Sequence, residues 1–335
     1  MMKYSIGIPT YRRPNDLRNA ISSVLAQTVT DFELIICDNA SGDETESVVG
    51  EFNDSRIRYY KNEENIGGPK NMQKCVENSL GEWFILLSDD DALFPEYLSF
   101  LEEGVASCPQ ATVFSTAYLY GNESKGILGK TTHYSAGIWQ EFEVNSKKAV
   151  ILNGEEVGIS LLFEATIMHP VTALRRSTVQ ETGGYFSDFM YGSDLITFAR
   201  VAAQGKVVFD YRIGGWYHAH SSNWSRSIPK IAQLNSRRKL NEIIIRELMK
   251  QSPEILRRGI DLLDKIPRRQ KWKFLDEALV GGYPELQKQM LMESIAQKHG
   301  DSLFKIKMRS WFKMNKRIAF QRWLQEVSDR EGGAA

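Results

Sequence analysis

The chain has 335 residues, enough for two domains or for one large domain with an appendage. Its 42 basic and 42 acidic side chains give a formal net charge of zero, so the composition does not support a nucleic-acid-binding protein. Three cysteines without a CxxC pair argue against a disulfide framework or a zinc ribbon and indicate a reducing compartment.

Four short apolar runs in the first hundred residues predict β-strands. Segments with helical spacing separate them, so we expect βαβ units and a parallel sheet. The predicted strands are 4–8, 33–38, 56–60 and 82–87.

Three helices are predicted between these strands. The apolar positions of 17–27 recur at helical spacing, and 72–80 follow the same pattern. Ser41 or Asp43 is expected to cap a short helix between them. The glycine-containing stretch 64–71 is expected to be a loop.

The remainder of the chain changes character near residue 226. Before it, 112–120 and 206–213 predict strands and 195–205 predicts a helix. After it, proline-started, glycine-ended helical patterns predict a C-terminal helical region at 226–335.

An acidic triplet follows directly after the fourth predicted strand. Asp89, Asp90 and Asp91 repel one another unless a cation lies close by, and ligands of open α/β sheets bind at the carboxyl ends of the strands. A divalent cation such as Mg²⁺ or Mn²⁺ fits carboxylate oxygens combined with substrate phosphates. A solvated surface loop is the alternative. Neither GxxxxGK[ST] nor GxGxxG occurs, which argues against an ATPase and a dinucleotide-dependent dehydrogenase.

Four ordered stretches resemble the family 2 glycosyltransferases, which have the GT-A fold. They are SIGIPTYRRPNDLRNAISSVLAQTVTDFELIICDNASGDET, NIGGPKNM, LLSDDDALFPEYL and ETGGYFSDFMYGSDLITFARVAAQG. The resemblance implies an α/β fold with a Rossmann-like, mainly parallel sheet flanked by helices. It also implies an inverting, metal-dependent transfer from a nucleotide-sugar, expected to be a UDP-sugar, to a hydroxyl of a glycan or lipid-linked acceptor.

The resemblance also divides the chain. We expect a catalytic domain at 1–225, with a nucleotide-binding half at 1–95 and an acceptor half at 96–225, followed by the helical region at 226–335.

Ten positions carry over to nucleotide-sugar binding. The first three would line the base and ribose pocket, and Asp38 would accept a hydrogen bond from the base, commonly uracil N3–H. Alternatively, Asp38 only shapes a turn. Lys70 stands where the family often has arginine, and a lysine lacks the bidentate fork. The residues are Pro9, Thr10, Tyr11, Arg13, Asp38, Asn65, Gly67, Lys70, Asp89 and Asp90.

The metal, Mn²⁺ or Mg²⁺, is expected at the end of the triplet. Ser88 stands where the family often has its first aspartate, so Asp89 would face the ribose and Asp90 would bind the metal, with Asp91 second. His220 is a further candidate ligand, with His218 as its substitute. The alternative is a histidine that only hydrogen-bonds the loop.

The general base that the resemblance implies is Asp194. It keeps the second position of the family's acidic pair, whereas Ser193 replaces the usual glutamate. Asp194 as the N-cap of the helix that follows is the alternative.

Partners beyond the donor and acceptor are suggested by 301–323. This segment has seven basic residues against one acidic residue, a net +6, interleaved with aromatic side chains. It predicts contact with an anionic membrane surface, or else packing on the catalytic domain or on a second subunit. Without a signal-peptide pattern or an 18-residue apolar run, we expect a cytoplasmic protein, peripheral at the inner face of the membrane and a candidate homo-oligomer.

Two other functions remain open at this point. One is a non-catalytic sugar-nucleotide or glycan-binding protein with a decayed site, which Ser88 and Ser193 keep under consideration. The other is a nucleotidyltransferase, which would need a basic, glycine-rich opening loop. Residues 9–13 contain no glycine.

Overall fold

A sheet of ten strands runs through the described part of the computed structural model, which covers residues 2–122, 126–131, 149–162, 169–185, 192–220, 230–251, 254–263, 271, 275 and 284–299. The strands are β1 (Tyr4–Thr10), β2 (Phe32–Asp38), β3 (Ile57–Lys61), β4 (Trp83–Leu86), β5 (Ala92–Leu93), β6 (Ala111–Asn122), β7 (Gly126–Thr131), β8 (Ala149–Asn153), β9 (Thr172–Arg175) and β10 (Lys206–His218). Their order is β3-β2-β1-β4-β9-β6-β10-β5, with β7 beside β6 and β8 beside β10.

Helices connect and flank these strands. They are α1 (Pro14–Leu25), α2 (Thr45–Gly50), α3 (Gly68–Glu77), α4 (Tyr97–Ser107), α5 (Gly154–Ser160), α6 (Arg176–Glu181), α7 (Ser193–Ala202), α8 (Lys230–Gln251), α9 (Ile255–Leu263) and α10 (Glu285–His299). None of the helices in these described ranges is long and apolar enough to cross a bilayer.

The first half of the sheet is parallel. Strands β3, β2, β1 and β4 pair in parallel, and the register places Thr10 opposite Asp38 and Asp38 opposite Lys61. The N–H of Leu87 bonds the Gly7 carbonyl at 2.9 Å, which carries the β1–β4 pairing one residue beyond β4. Four strand ends therefore meet at one edge, where the sequence predicts the chemistry.

The second half makes the sheet mixed. β9 pairs antiparallel to both β4 and β6, while β10 lies parallel to β6 and antiparallel to β5. The α/β class is confirmed. Each of the four strands predicted before residue 90 is present, with ends shifted by at most two residues.

One predicted loop is partly wrong. Residues 64–71 do not form a loop throughout, because α3 begins at Gly68. Gly67 has a positive φ of 85°, so the loop ends there and the helix begins at the next residue. Pro69 supplies the fixed φ that suits the first turn of a helix.

The core lies on both faces of the sheet. On one face Ile6 and Ile8 pack with Leu17 and Ile21 of α1. On the other face the helical layers share one apolar cluster, which includes Cys75, Phe198, Leu240, Ile244 and Met290. Helices α8 and α10 thus pack in the same core as α3 and α7. The division at residue 226 stays a prediction, and 301–323 lie outside the described residues.

The close approach of α3 to β1 generates a stability prediction. A Cβ atom on Gly7 would lie 2.7 Å from Cβ of Cys75 and 3.0 Å from the Phe84 ring. We expect Gly7→Ala to lower the free energy of unfolding by about 1–3 kcal/mol through overpacking, measured by chemical denaturation. Gly50→Ala is the matched control, because its Cβ would meet nothing within 4 Å. Equal stability of the two variants would contradict the packing at Gly7.

Candidate functional site

The ends of β1 and β4 are joined by side chains. Thr10 donates through Oγ1 to Asp89 Oδ2 at 2.8 Å. Arg13, immediately before the first residue of α1, donates from one guanidinium nitrogen to Asp89 Oδ1 at 3.2 Å and to Asp90 Oδ2 at 2.6 Å. The cationic group expected beside the acidic triplet is therefore Arg13, a residue that the sequence assigned only to the donor.

Burial dominates the electrostatics of this cluster. Asp89 is 7% exposed, and this desolvation raises its pKa to about 6, against the opposing charge of Arg13. The charge of Asp90 adds to the rise, while the Thr10 hydrogen bond opposes it. For Arg13, burial acts to lower the guanidinium pKa, but the two carboxylates outweigh it, so the pKa is raised. Each group thus depends on the others for its charge.

His220 brings a nitrogen donor to the same oxygen of Asp90. Its Nε2 lies 3.0 Å from Asp90 Oδ2, two residues beyond the end of β10. The ring of His218 lies 4.7 Å from that of His220. One carboxylate oxygen and one imidazole nitrogen fit Mn²⁺ better than Mg²⁺. No cluster of three His, Cys, Asp or Glu side chains suited to a metal occurs in the described residues. The pair therefore fits an ion that also binds substrate phosphates, rather than an all-protein cage.

Asp91 points elsewhere. It is 3% exposed, its Oδ1 accepts the backbone N–H of His218 at 2.9 Å, and the Ser88 side chain donates to it. Burial and the charge of Asp90 raise the pKa of Asp91 well above its usual range. The third carboxylate thus fixes β10 to the end of β4, and its role as a metal ligand stays a prediction.

Asp38 holds the turn after β2. It is 1% exposed; Ser41 donates to its Oδ1 from the backbone at 2.9 Å and from the hydroxyl at 2.5 Å, and Tyr59 donates to its Oδ2 at 2.7 Å. The N-cap of α2 is Glu44 and makes no side-chain cap hydrogen bond, so the predicted cap at Ser41 or Asp43 is wrong; Asp43 Oδ1 accepts the N–H of Thr45 at 3.0 Å from the position before the cap. The turn-shaping role of Asp38 is therefore observed. A carboxylate oxygen can accept two hydrogen bonds, and the described residues supply one to Oδ2.

An asparagine network, which we did not predict, shapes the loop after β3. Asn39 donates to Asn65 at 2.8 Å and accepts from Asn62 at 3.2 Å and from the Ile66 backbone at 2.9 Å. Asn62 also donates to Asn71 at 2.9 Å. Four asparagines at the ends of two adjacent strands and in the following loop and helix were the sequence signal.

The other predicted donor-side residues surround this network. Pro9 is half-buried, whereas Tyr11 is 38% exposed and carries the Arg12 guanidinium 5.1 Å from its ring centroid. The N–H of Gly67 bonds Asn65 Oδ1 at 2.9 Å. Lys70 is exposed in the first turn of α3. An exposed ring and a lysine thus lie at the same strand-end edge.

Asp194 lies in the first turn of α7. The N-cap is Gly192 with φ 81°, so the alternative that Asp194 is the cap is wrong. Asp194 is half-buried, and its charge acts on two rings, that of the half-buried His169 and that of the buried Tyr185. Neither ring was singled out from the sequence. The role of Asp194 as general base stays a prediction.

Comparison with known sequences identifies relatives of this chain. The sequence model of Glycosyl transferase family 2 matches residues 5–167. A GalNAc(5)-diNAcBac-PP-undecaprenol beta-1,3-glucosyltransferase from Campylobacter jejuni is 34% identical over 152 residues, 44% of this chain and 47% of that protein. The UDP-Glc:alpha-D-GlcNAc-diphosphoundecaprenol beta-1,3-glucosyltransferase WfgD from Escherichia coli is 37% identical over 130 residues, 38% of this chain and 49% of that protein. The matched segments thus span about half of each relative.

Solved structures show the same fold at low identity. S. aureus TarS 1-349 in complex with UDP-GlcNAc aligns with a TM-score of 0.61 at 13% identity, over 90% of this chain and 93% of that one. The mannosyltransferase PcManGT from Pyrobaculum calidifontis, in complex with GDP-Man and Mn2+, aligns with a TM-score of 0.54 at 12% identity, over 96% and 87%. These similarities confirm the GT-A fold. Residues 5–167, just under half of the chain, are thus similar to Glycosyl transferase family 2.

Proposed function

We propose that the protein transfers a sugar from a nucleotide-sugar, first of all a UDP-sugar, to a hydroxyl of a lipid-linked glycan, with inversion at the anomeric carbon. The observation that carries the proposal is the cluster of Thr10, Arg13, Asp89, Asp90 and His220 at the carboxyl ends of the strands. The names of the two bacterial relatives support the acceptor class, since both describe transfer to undecaprenyl-diphosphate-linked sugars.

Donor binding would use the strand-end edge. The exposed ring of Tyr11 offers a stacking surface for the base, and Asp38 Oδ2 would accept a base N–H as a second hydrogen bond. Asp89, held by Thr10, faces the ribose. Lys70 adds positive charge for the diphosphate.

Asp90 and His220 would hold the divalent metal, Mn²⁺ or Mg²⁺, which offsets charge developing on the departing nucleoside diphosphate. Arg13 already donates to the same oxygen of Asp90 at 2.6 Å. A cation at Asp90 therefore competes with Arg13 for that oxygen.

Transfer would use Asp194 as the base. The acceptor oxygen bonds to the anomeric carbon while its proton passes to the Asp194 carboxylate, and the bond from that carbon to the diphosphate oxygen breaks. The first turn of a helix favours a carboxylate there, because the helix N-terminus carries partial positive charge.

The two alternative functions have weaker support. Ser88 is one of the two residues that suggested a non-catalytic protein with a decayed site. Its side chain donates a hydrogen bond to Asp91, so it contributes to the structure of the acidic triplet. A nucleotidyltransferase would need a glycine-rich opening loop, whereas β1 continues as strand to Thr10 and α1 begins at Pro14.

Membrane contact through 301–323 belongs to the same proposal, since a basic aromatic segment suits a protein whose acceptor is anchored in lipid. Self-association also belongs to this proposal. In that case residues 301–323 would pack on a second subunit.

A thermal-shift screen of UDP-, GDP-, CMP- and dTDP-sugars with and without Mn²⁺ tests the donor class. We expect UDP-sugars with Mn²⁺ to give the largest rise in Tm, because a ligand at 100 times its Kd stabilises the native state by about 2.7 kcal/mol. Asp90→Asn should lose the Mn²⁺-dependent part of this rise. If none of the nucleotide-sugars shifts Tm, the proposal is wrong.

Arg13→Gln tests the competition at Asp90. Without metal we expect a loss of about 1–3 kcal/mol in unfolding free energy, because two poorly exposed carboxylates lose their guanidinium partner. Added Mn²⁺ should then raise Tm more than in the wild type. Arg18→Gln is the control: its ion pair with Glu51 is exposed, and its loss should leave the free energy of unfolding nearly unchanged. A smaller Mn²⁺ shift in Arg13→Gln would argue against competition.

Asp194→Asn tests the base. We expect donor-induced thermal shifts to be unchanged and the transfer rate to fall by about 10²- to 10⁴-fold, since amides do not accept the proton. Radiolabel transfer to an undecaprenyl-diphosphate-linked sugar measures the rate. Glu285→Gln, an exposed acid in the first turn of α10, is the matched control and should transfer normally. An unchanged rate in Asp194→Asn would remove the assignment.

A further inference from the structure

A buried imidazole lies beside the proposed base. His169 precedes β9, and β9 pairs antiparallel to β4 with Arg175 opposite Trp83 and Ala173 opposite Ile85. In this register the chain just before β9 passes the carboxyl end of β4. His169 therefore lies at the edge of the sheet that carries the acidic triplet.

The ring nitrogens of His169 are poorly satisfied. Both are buried and make no hydrogen bond of ordinary geometry within the described part of the chain, although the Leu86 carbonyl lies close enough to act on the ring. The ring stacks on Tyr185 at 5.9 Å between centroids and packs tilted on Phe198 at 5.0 Å. A buried polar group left unsatisfied costs about 1–3 kcal/mol, so an apolar ring would suit this position better for stability alone.

The same contact brings the imidazole towards Asp194. Asp194 and Phe198 are four residues apart in α7 and so share a face of the helix. Side chains on a helix lean towards its N-terminus, so the part of Phe198 that His169 contacts lies towards the turn that carries Asp194. Burial lowers the pKa of His169, and the charge of Asp194 and the Leu86 carbonyl oppose this. The imidazole is thus neutral, with one N–H to donate.

We infer that His169 is a positioning residue for Asp194, whose carboxylate accepts the imidazole N–H when the acceptor is bound. This inference rests on the proposed function. Catalytic hydrogen bonds are often long or poorly aligned without substrate and tighten in the complex. The imidazole stays neutral throughout: the acceptor proton goes to Asp194, while the N–H of His169 holds the carboxylate towards the acceptor hydroxyl.

Three substitutions at His169 test this inference. His169→Phe keeps the aromatic packing without the N–H. We expect it to fold with unchanged or higher Tm and unchanged KM for the donor, while kcat falls about 100-fold, the cost of a misplaced catalytic group. His169→Asn and His169→Gln each place an amide N–H near the position of one of the two ring nitrogens. One of these two variants should recover at least part of kcat. A wild-type rate in His169→Phe, or equal losses in all three variants, overturns the inference.

Combination with Asp194→Asn separates the two claims. Residues that act as a unit are non-additive, so His169→Phe should add little to the loss caused by Asp194→Asn. If Asp194→Asn transfers normally, the proposed base fails and the positioning role with it. If Asp194→Asn loses transfer but His169→Phe does not, the positioning role alone fails.

A spectroscopic readout is independent of turnover. The chain has five histidines, so His169→Phe identifies the ring-nitrogen signals of His169 in ¹⁵N NMR spectra. Asp194→Asn should shift those signals in the presence of donor and acceptor. Unchanged signals overturn the inference even if the donor or acceptor tested does not support transfer.

Discussion

The architecture of the site depends on one electrostatic constraint: three carboxylates at the end of a buried strand must be held together against their repulsion and desolvation. Asp89 and Asp91 are 7% and 3% exposed. Asp89 and Asp90 share Arg13, and the other partners of the three acids come from different elements. Thr10 at the end of β1 and Arg13 before α1 engage Asp89, while β10 supplies the backbone N–H for Asp91. Offsetting the charges thus also fixes three elements around one point.

The same contacts join the two halves of the sheet. Asp91 bonds the His218 backbone, and Asp90 lies against the ring of His220, so the end of β10, in the mixed half of the sheet, rests on the end of β4. His169 and Asp194 belong to that half too, one from the chain before β9 and one from α7. A change in the charge at Asp90 therefore acts most directly on its two partners, Arg13 and the segment after β10 that carries His220.

Much of this arrangement was predictable because it is local or repeats a family pattern. Three of the four strand ends, the acidic triplet and Asp194 lie in stretches that carry the family resemblance, and β3 ends outside them. The partners of those residues were less accessible, since Tyr59 reaches Asp38 from a neighbouring strand and Arg13 reaches Asp90 from 77 positions away. The role proposed for His169 was invisible in sequence, because the residue type alone reveals neither the burial of its ring nitrogens nor their hydrogen bonding.

The early start of α3 is a second case in which local sequence did not determine the structure. The local pattern favoured a loop because two glycines and a proline stand together, yet that combination serves both a turn and a helix start. The choice was decided by Asn71, whose side chain donates to the Cys37 carbonyl at 2.7 Å and so fixes the first turn against β2.

The asparagine network gives the donor side a different character from the acidic cluster. Amides carry no charge and do not titrate, so Asn39, Asn62, Asn65 and Asn71 keep their mutual hydrogen bonds as pH and ionic strength change. Asp89 does titrate, because burial raises its pKa to about 6. The loop shaped by the asparagines is thus insensitive to acidity, so a fall in pH would change the charge at Asp89 before it changed the shape of the loop.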